Sequence, residues 1–232
     1  MHNVTLPAHI VERMRKVRGG SDHIYSSLDM SKVAHVCVDM QVGFVAEGAP
    51  IEVPMTREIY GTMNTISEAV RKAGGLNVFT RYTYDPSEKH SWAYWVETLG
   101  ADQKAGQEKM APGMPDWEMD PRMEIKAGDL IVDKTRFSAL IPETCDMDAQ
   151  LKAKGIDTLI ITGTLTNCCC ESTARDALQM GYKVIFMSDA NATLSDEEHL
   201  GTLISMYTIF ADVMDTPYLL DLIEKSSVKA AA

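Results

Sequence analysis

An α/β domain built on a doubly wound, mostly parallel sheet with helices on both faces is the fold this sequence predicts. Three observations carry it: short apolar runs of strand length, helically spaced stretches between them, and glycine stops after those stretches. That alternation is the pattern of a parallel sheet with crossover helices. A length of 232 residues suits one such domain with an ample core.

Residues 1–32 read as a polar, partly helical lead-in, and residues 33–232 as the domain itself. Val33-Ala34-His35-Val36-Cys37-Val38 is a short apolar run ahead of Asp39, as expected of a central parallel strand. Residues 55–73 follow with Ile59, Met63, Ile66 and Val70 at helical spacing and stop at Gly74-Gly75. Residues 76–80 form a second strand and residues 130–132 a third, just before Lys134. Cys145 opens a helix that closes at Gly155. Residues 157–162 are a fourth strand, residues 169–180 a helix closing at Gly181, and residues 183–187 a fifth strand. Ser195-Asp196-Glu197-Glu198 starts a helix with capping-box chemistry, running to about Asp212.

Residues 82–128 break this rhythm. The stretch holds Trp92, Trp95, Trp117 and four prolines, among them Pro112, Pro115 and Pro121, and it is too long for an ordinary connection. It reads as a packed lid or subunit contact, with a short helix over 92–99.

Composition excludes several function classes. The net charge of −11 argues against nucleic acid or an anionic membrane as partner. No apolar run approaches the ~18 residues of a membrane span, the first twenty residues lack the apolar core of a secretory signal, and mean hydropathy is −0.12. The five cysteines, three of them adjacent, form no disulfide framework and show no zinc-site spacing. A reducing cytoplasm is the expected compartment.

The adjacent cysteines, Cys168-Cys169-Cys170, follow the apolar run that ends at Gly163. A strand that turns there into a helix puts a thiol at a helix N-terminus, where backbone N–H groups and the helix dipole favour the thiolate. At most two of the three can pack inward, and periodicity alone does not say which one faces the carboxyl edge. Ligands of open parallel sheets bind at that edge. Asp39, Lys134 and Cys169 each follow a strand-like run there, so an acid, an amine and a thiol can converge as base, charge partner and nucleophile.

Three segments resemble the signature blocks of the isochorismatase-like cysteine hydrolases: Val38-Asp39-Met40-Gln41-Val42-Gly43-Phe44, Asp133-Lys134-Thr135-Arg136-Phe137-Ser138-Ala139, and Gly163 through Arg175. The resemblance is collinear from about Val33 to Val213. It implies an Asp39–Lys134–Cys169 triad, with Cys168 and Cys170 as packing residues. It also implies a cis peptide at Thr164–Leu165 and an oxyanion site made by the N–H groups of Leu165 and Cys169.

The same resemblance narrows the chemistry. Members that cleave the vinyl ether of isochorismate carry glycine where Cys169 stands, so acyl transfer on an amide, carbamoyl or ureido carbonyl is expected. Metal-dependent nicotinamidases carry Asp-x-His after the second strand; here Tyr84 through His90 has one histidine and no such motif, so no metal and no cofactor are expected. Biuret-type hydrolases carry a second lysine where Phe137 stands. Amidases similar to N-carbamoylsarcosine amidase and ureidoacrylate hydrolase remain, with Phe44 and Phe137 as apolar pocket wall and a homo-oligomer, dimer or tetramer, as the assembly. Rival readings are a vinyl ether hydrolase, a lactamase, a non-catalytic interaction subunit and a thiol redox sensor. The last is disfavoured because adjacent cysteines fit disulfide geometry poorly.

Overall fold

A computed structural model describes residues 1–49, 51–87 and 92–230. Among these, six strands form one all-parallel sheet: β1 (Val33–Val38), β2 (Leu76–Tyr82), β3 (Leu130–Lys134), β4 (Thr158–Thr164), β5 (Lys183–Ala192) and β6 (Asp212–Met214). Their spatial order is β3-β2-β1-β4-β5-β6. Successive connections run outward in opposite directions from β1 and β4. The topological switch point therefore lies between those two strands, and a crevice opens at their carboxyl ends.

Each face of the sheet is covered, which is why the central strands are apolar on both sides. On one face lie α3 (Tyr60–Lys72), through Met63, Ile66 and Val70, and α9 (Thr216–Ala230), through Leu219, Leu222 and Ile223. On the other lie α6 (Met147–Ala153), α7 (Glu171–Gln179) and α8 (Asp196–Ser205), with Leu151, Ala174, Ala177 and Leu203 in the core. The lead-in helix α1 (Ala8–Val17) leans half-buried on that second core through Ile10, Val11 and Met14. A short α2 (Val42–Val45) follows β1. Ser195 caps α8 as its sequence predicts, accepting from the Glu198 N–H at 3.2 Å.

Three elements depart from the sequence reading. The helix expected to reach Asp212 ends at Ser205, passes through a wide i→i+5 turn over Met206–Phe210, and gives way to β6. Three residues are too few to show a strand period, and a buried aspartate does not look like a strand. Asp212 is buried because its carboxylate accepts from the N–H groups of Ile24 (2.6 Å) and Tyr25 (2.9 Å), tying the lead-in to the sheet edge. The helix expected from Cys169 begins with another wide turn, Thr166–Cys170, before α7. Cys145 stands two residues ahead of α6 rather than opening it.

The long stretch between β2 and β3 contributes α4 (Ala93–Thr98), α5 (Ala101–Glu108) and a 3-10 turn at Pro115–Trp117. It folds back over the carboxyl edge and is pinned there. Gln41 donates to the carbonyls of Tyr82 (3.0 Å) and Trp117 (2.8 Å) and accepts from the Tyr82 N–H (2.7 Å). Gly43 allows the close approach, since a Cβ there would lie 2.6 Å from Met110 Sδ.

Candidate active site

The crevice at the switch point holds the acid, the amine and the thiol together. Asp39 follows β1 in a left-handed conformation (φ 52°), one that asparagine and aspartate adopt at lower cost than most residues. Its carboxylate turns under the edge of the sheet. Thr80 donates to Oδ1 at 2.8 Å, and Lys134 Nζ meets Oδ2 at 2.7 Å. Both charged side chains are fully buried. Lys134 also donates to the Arg136 carbonyl (3.0 Å) and lies 5.5 Å from the centre of the Tyr82 ring. Apart from the ion pair, Asp39 Oδ2 has no hydrogen-bond partner among the described residues.

Burial alone would pull the Lys134 pKa down. The attraction of Asp39 and Cys169, with the hydrogen bond to Asp39, outweighs it and holds the ammonium above its ordinary value. Lys134 is charged across the neutral range.

A glycine brings the thiol to this pair. At Gly163 (φ 117°) a Cβ would fall 2.2 Å from the Val38 carbonyl oxygen, so only glycine lets the ends of β1 and β4 close together. The register of β4 against β5 shifts at this point. The Thr164–Leu165 peptide is cis, as the resemblance implies. In the turn that follows, the Leu165 carbonyl accepts from the N–H groups of Cys168 (3.1 Å) and Cys170 (3.2 Å), which flank Cys169.

The motif residues around Cys169 hold this turn. Thr166 Oγ1 and His199 Nδ1 are 2.9 Å apart, and His199 Nε2 lies 2.9 Å from the Ser188 carbonyl. A carbonyl can only accept, so Nε2 carries the proton and the Thr166 hydroxyl donates to Nδ1. Thr193 donates to Asn167 Oδ1 (2.6 Å), and Glu171 accepts from Arg175 (2.5 Å) and Thr202 (2.5 Å). Thr173 accepts from the Ala139 N–H (3.1 Å), joining the segment after Lys134 to the helix after Cys169.

Cys169, 4 % exposed, opens onto a cavity of about 360 Å³. Phe44 and Phe137 line it, as does Leu165. The opposite wall comes from the long insert, through Trp95, Leu99, Gln103 and Gln107. Phe137 sits edge-on to Trp92 and Trp95, with ring centres 4.7 and 5.2 Å away.

Two expectations change. Cys168 is only partly buried and lines the cavity beside Cys169, so it is more than a packing residue; Cys170 is fully buried. A thiol pKa depressed by a helix N-terminus is also not what the surroundings of Cys169 produce. Contact with the Cys168 thiol, then burial, push it well above its ordinary range against the pull of Lys134. Cys168 is pulled down by the same contact, because the Cys169 S–H would hold a thiolate there. The two sulfurs compete for one ionisation. Besides Cys168, sequence reasoning missed Thr80 and Tyr82, which alternate along β2 near Asp39, so that strand alternation could have flagged them. It singled out Trp95 as part of a packed lid or subunit contact, but not as a residue lining the cavity with Cys169. His90 lies outside the described residues.

The isochorismatase domain matches residues 33–217, from the first strand to the start of the last helix. The chain belongs to the isochorismatase-like cysteine hydrolase family. An uncharacterized isochorismatase family protein of Bacillus subtilis is 33% identical over 178 residues, covering 76% of this chain and 86% of the relative. The ureidoacrylate amidohydrolase RutB of Variovorax paradoxus is 31% identical over 183 residues, 72% of this chain and 71% of that protein. The solved cysteine hydrolase of Pseudomonas syringae pv. phaseolicola superposes with a TM-score of 0.78 at 27% identity, covering 88% of this chain and 97% of that one. The family is one of hydrolases whose members include amide-cleaving enzymes.

Proposed function

We propose that this protein is a cysteine-dependent amidohydrolase, cleaving a carbon–nitrogen bond other than a peptide bond in a small amide, carbamoyl or ureido compound through a thioester. One observation carries the reading: a fully buried Asp39–Lys134 ion pair at the same sheet edge as a thiol that opens onto an apolar cavity. Burying two charges is costly, and apart from its ion pair with Lys134 Asp39 Oδ2 keeps its hydrogen-bonding capacity for the chemistry.

In this reading Asp39 Oδ2 takes the Cys169 proton as Sγ attacks the carbonyl carbon, so a thiol with a raised pKa needs no standing thiolate. Negative charge gathers on the carbonyl oxygen, where the N–H groups of Leu165 and Cys169 are the donors. The C–N bond breaks, Asp39 returns its proton to the leaving nitrogen, and ammonia or an amine departs. Water then attacks the thioester with Asp39 as base, the C–S bond breaks, and the acid leaves as Sγ regains its proton. Lys134 holds a positive charge 2.7 Å from Asp39 Oδ2 between proton transfers.

The substrate is a small molecule, catalysis uses no metal or cofactor, and the insert is a contact surface of a homo-oligomer. Five free thiols fit a reducing cytoplasm, and no helix among the described residues is long and apolar enough to cross a membrane. The test is ammonia release from a panel of amides, carbamoyl amino acids, ureas and lactams. The reading expects release from at least one amide, carbamoyl or ureido compound, and failure of the whole panel would count against it.

A further inference from the structure

The part of the cavity lining that comes from the insert offers hydrogen-bond donors and, among the described residues, no cation. We propose that the site selects a neutral substrate with an apolar body and an uncharged hydrogen-bond acceptor at its far end, and that Trp95 is the donor that reads this acceptor. The proposal rests on the thioester reading and adds a substrate class to it.

Charge is the first argument. Among the described lining residues Glu52 alone is ionised at neutral pH, and it is already bound by Arg57 Nη1 (2.5 Å) and the Gly48 N–H (2.8 Å). No lysine or arginine lines the cavity among those residues, and Lys134 is committed to Asp39 at 2.7 Å. A substrate carboxylate would lose its water here and meet no cation among the described lining residues, which is strongly unfavourable. The chain's net charge of −11 repels anions before they arrive.

The donors are the second argument. Trp95 Nε1 is buried and has no acceptor, an arrangement native proteins seldom leave unfilled. Its ring is fixed edge-on to Phe137 at 5.2 Å and beside Trp92 at 5.9 Å, so the N–H cannot readily swing elsewhere. Gln103 and Gln107 reinforce it. Their side-chain oxygens are used, by the Gly100 N–H (3.1 Å) and the Tyr82 hydroxyl (2.6 Å). Each keeps amide N–H donors on a residue that lines the same cavity. The wall therefore suits an ester, ether or second amide oxygen.

Three probes of equal reach test this: 4-carbamoylbenzoate, its methyl ester, and 4-propylbenzamide. The first readout is protection of Cys169 from iodoacetamide, followed by peptide mapping, which needs no turnover. The ester should protect at a concentration on the order of 100-fold lower than the carboxylate and about tenfold lower than the propyl compound. Trp95→Phe keeps a ring in place and removes the donor, so it should erase the second ratio and preserve the first. Equal protection by ester and carboxylate would overturn the charge argument. An unchanged ester-to-propyl ratio in Trp95→Phe would overturn the role of Trp95. As a second readout, iodoacetate should label Cys169 at least tenfold more slowly, relative to iodoacetamide, than it labels glutathione. The same ratio as glutathione would contradict the proposal. Ammonia release from these probes is scored separately. Discrimination without any hydrolysis would sink the thioester reading alone, whereas hydrolysis favouring the carboxylate would sink the substrate class alone.

Discussion

The two walls of the site are built differently. The sheet-edge wall consists of Asp39, Thr80, Lys134 and Cys169, all buried and linked by a hydrogen bond, an ion pair or charge, and of these four Cys169 alone lines the cavity. The wall from the insert consists of partly exposed side chains on short helices, held by ring edges and glutamine amides. The difference teaches where function can vary. In the proposed mechanism the sheet edge fixes the reacting groups and tolerates little change, while the insert sets what enters and can change without undoing the chemistry.

Breaking the ion pair should have the largest effect. Asp39→Asn or Lys134→Ala leaves one charge buried without its partner, a loss of about 3–5 kcal/mol. Each should also lower kcat/KM by roughly a thousandfold or more, because the triad acts as a unit. Urea denaturation and steady-state kinetics measure the two losses. Activity within tenfold of the parent in either variant would remove that residue from the mechanism.

The contrast between the walls sharpens in a pair of substitutions. Gly163→Ala forces a Cβ against the Val38 carbonyl at positive φ and should cost ~3 kcal/mol or more while displacing Asp39 from Cys169. Trp92→Ala, on the insert, should cost about 1–2 kcal/mol and raise KM with kcat little changed. Equal damage to kcat from both would mean that the insert takes part in the chemistry.

The legibility of the chain divides along the same line. Strands β1 to β5 announce themselves as apolar runs, and Asp39, Lys134 and Cys169 stand at strand ends where parallel sheets bind ligands. Each of those signals is local. Strand β6 is not, because Asp212 is buried only by virtue of Ile24 and Tyr25, far away in sequence. The insert is legible only in outline: its length and tryptophans mark a packed lid or subunit contact, but Trp95, Leu99, Gln103 and Gln107 come to line one cavity with Cys169 only after the chain folds back. The raised pKa of Cys169 comes first from contact with the Cys168 thiol and then from burial, so helix-terminus reasoning pointed the other way.

Acid should probe the support behind the nucleophile. Burial, then the neighbouring His2, lower the His199 pKa to about 4. A histidine whose folded pKa lies below its unfolded value near 6.5 contributes stability that is present above 6.5 and is lost as pH falls through 4. The melting temperature should therefore drop between pH 6.5 and 4, and His199→Gln should flatten that part of the curve. An identical slope in the variant would remove His199 from the account.

The smallest effect lies within the sulfur pair. Cys168→Ala removes the thiol that raises the Cys169 pKa, so alkylation of Cys169 by iodoacetamide at pH 7 should quicken several-fold. In the parent the rate should climb steadily with pH above neutrality. A slower or unchanged rate in Cys168→Ala would show that the two thiols do not share an ionisation.

The central claim is that Cys169 forms the covalent bond, and one measurement meets it directly. The amide hydrolysed fastest is given to the parent and to Cys169→Ala, ammonia release is followed, and the parent is acid-quenched for peptide mass mapping. The account predicts an acyl adduct on the Cys169 peptide of the parent and turnover at background in the folded variant. Full turnover by Cys169→Ala, with no adduct on that peptide in the parent, would contradict it.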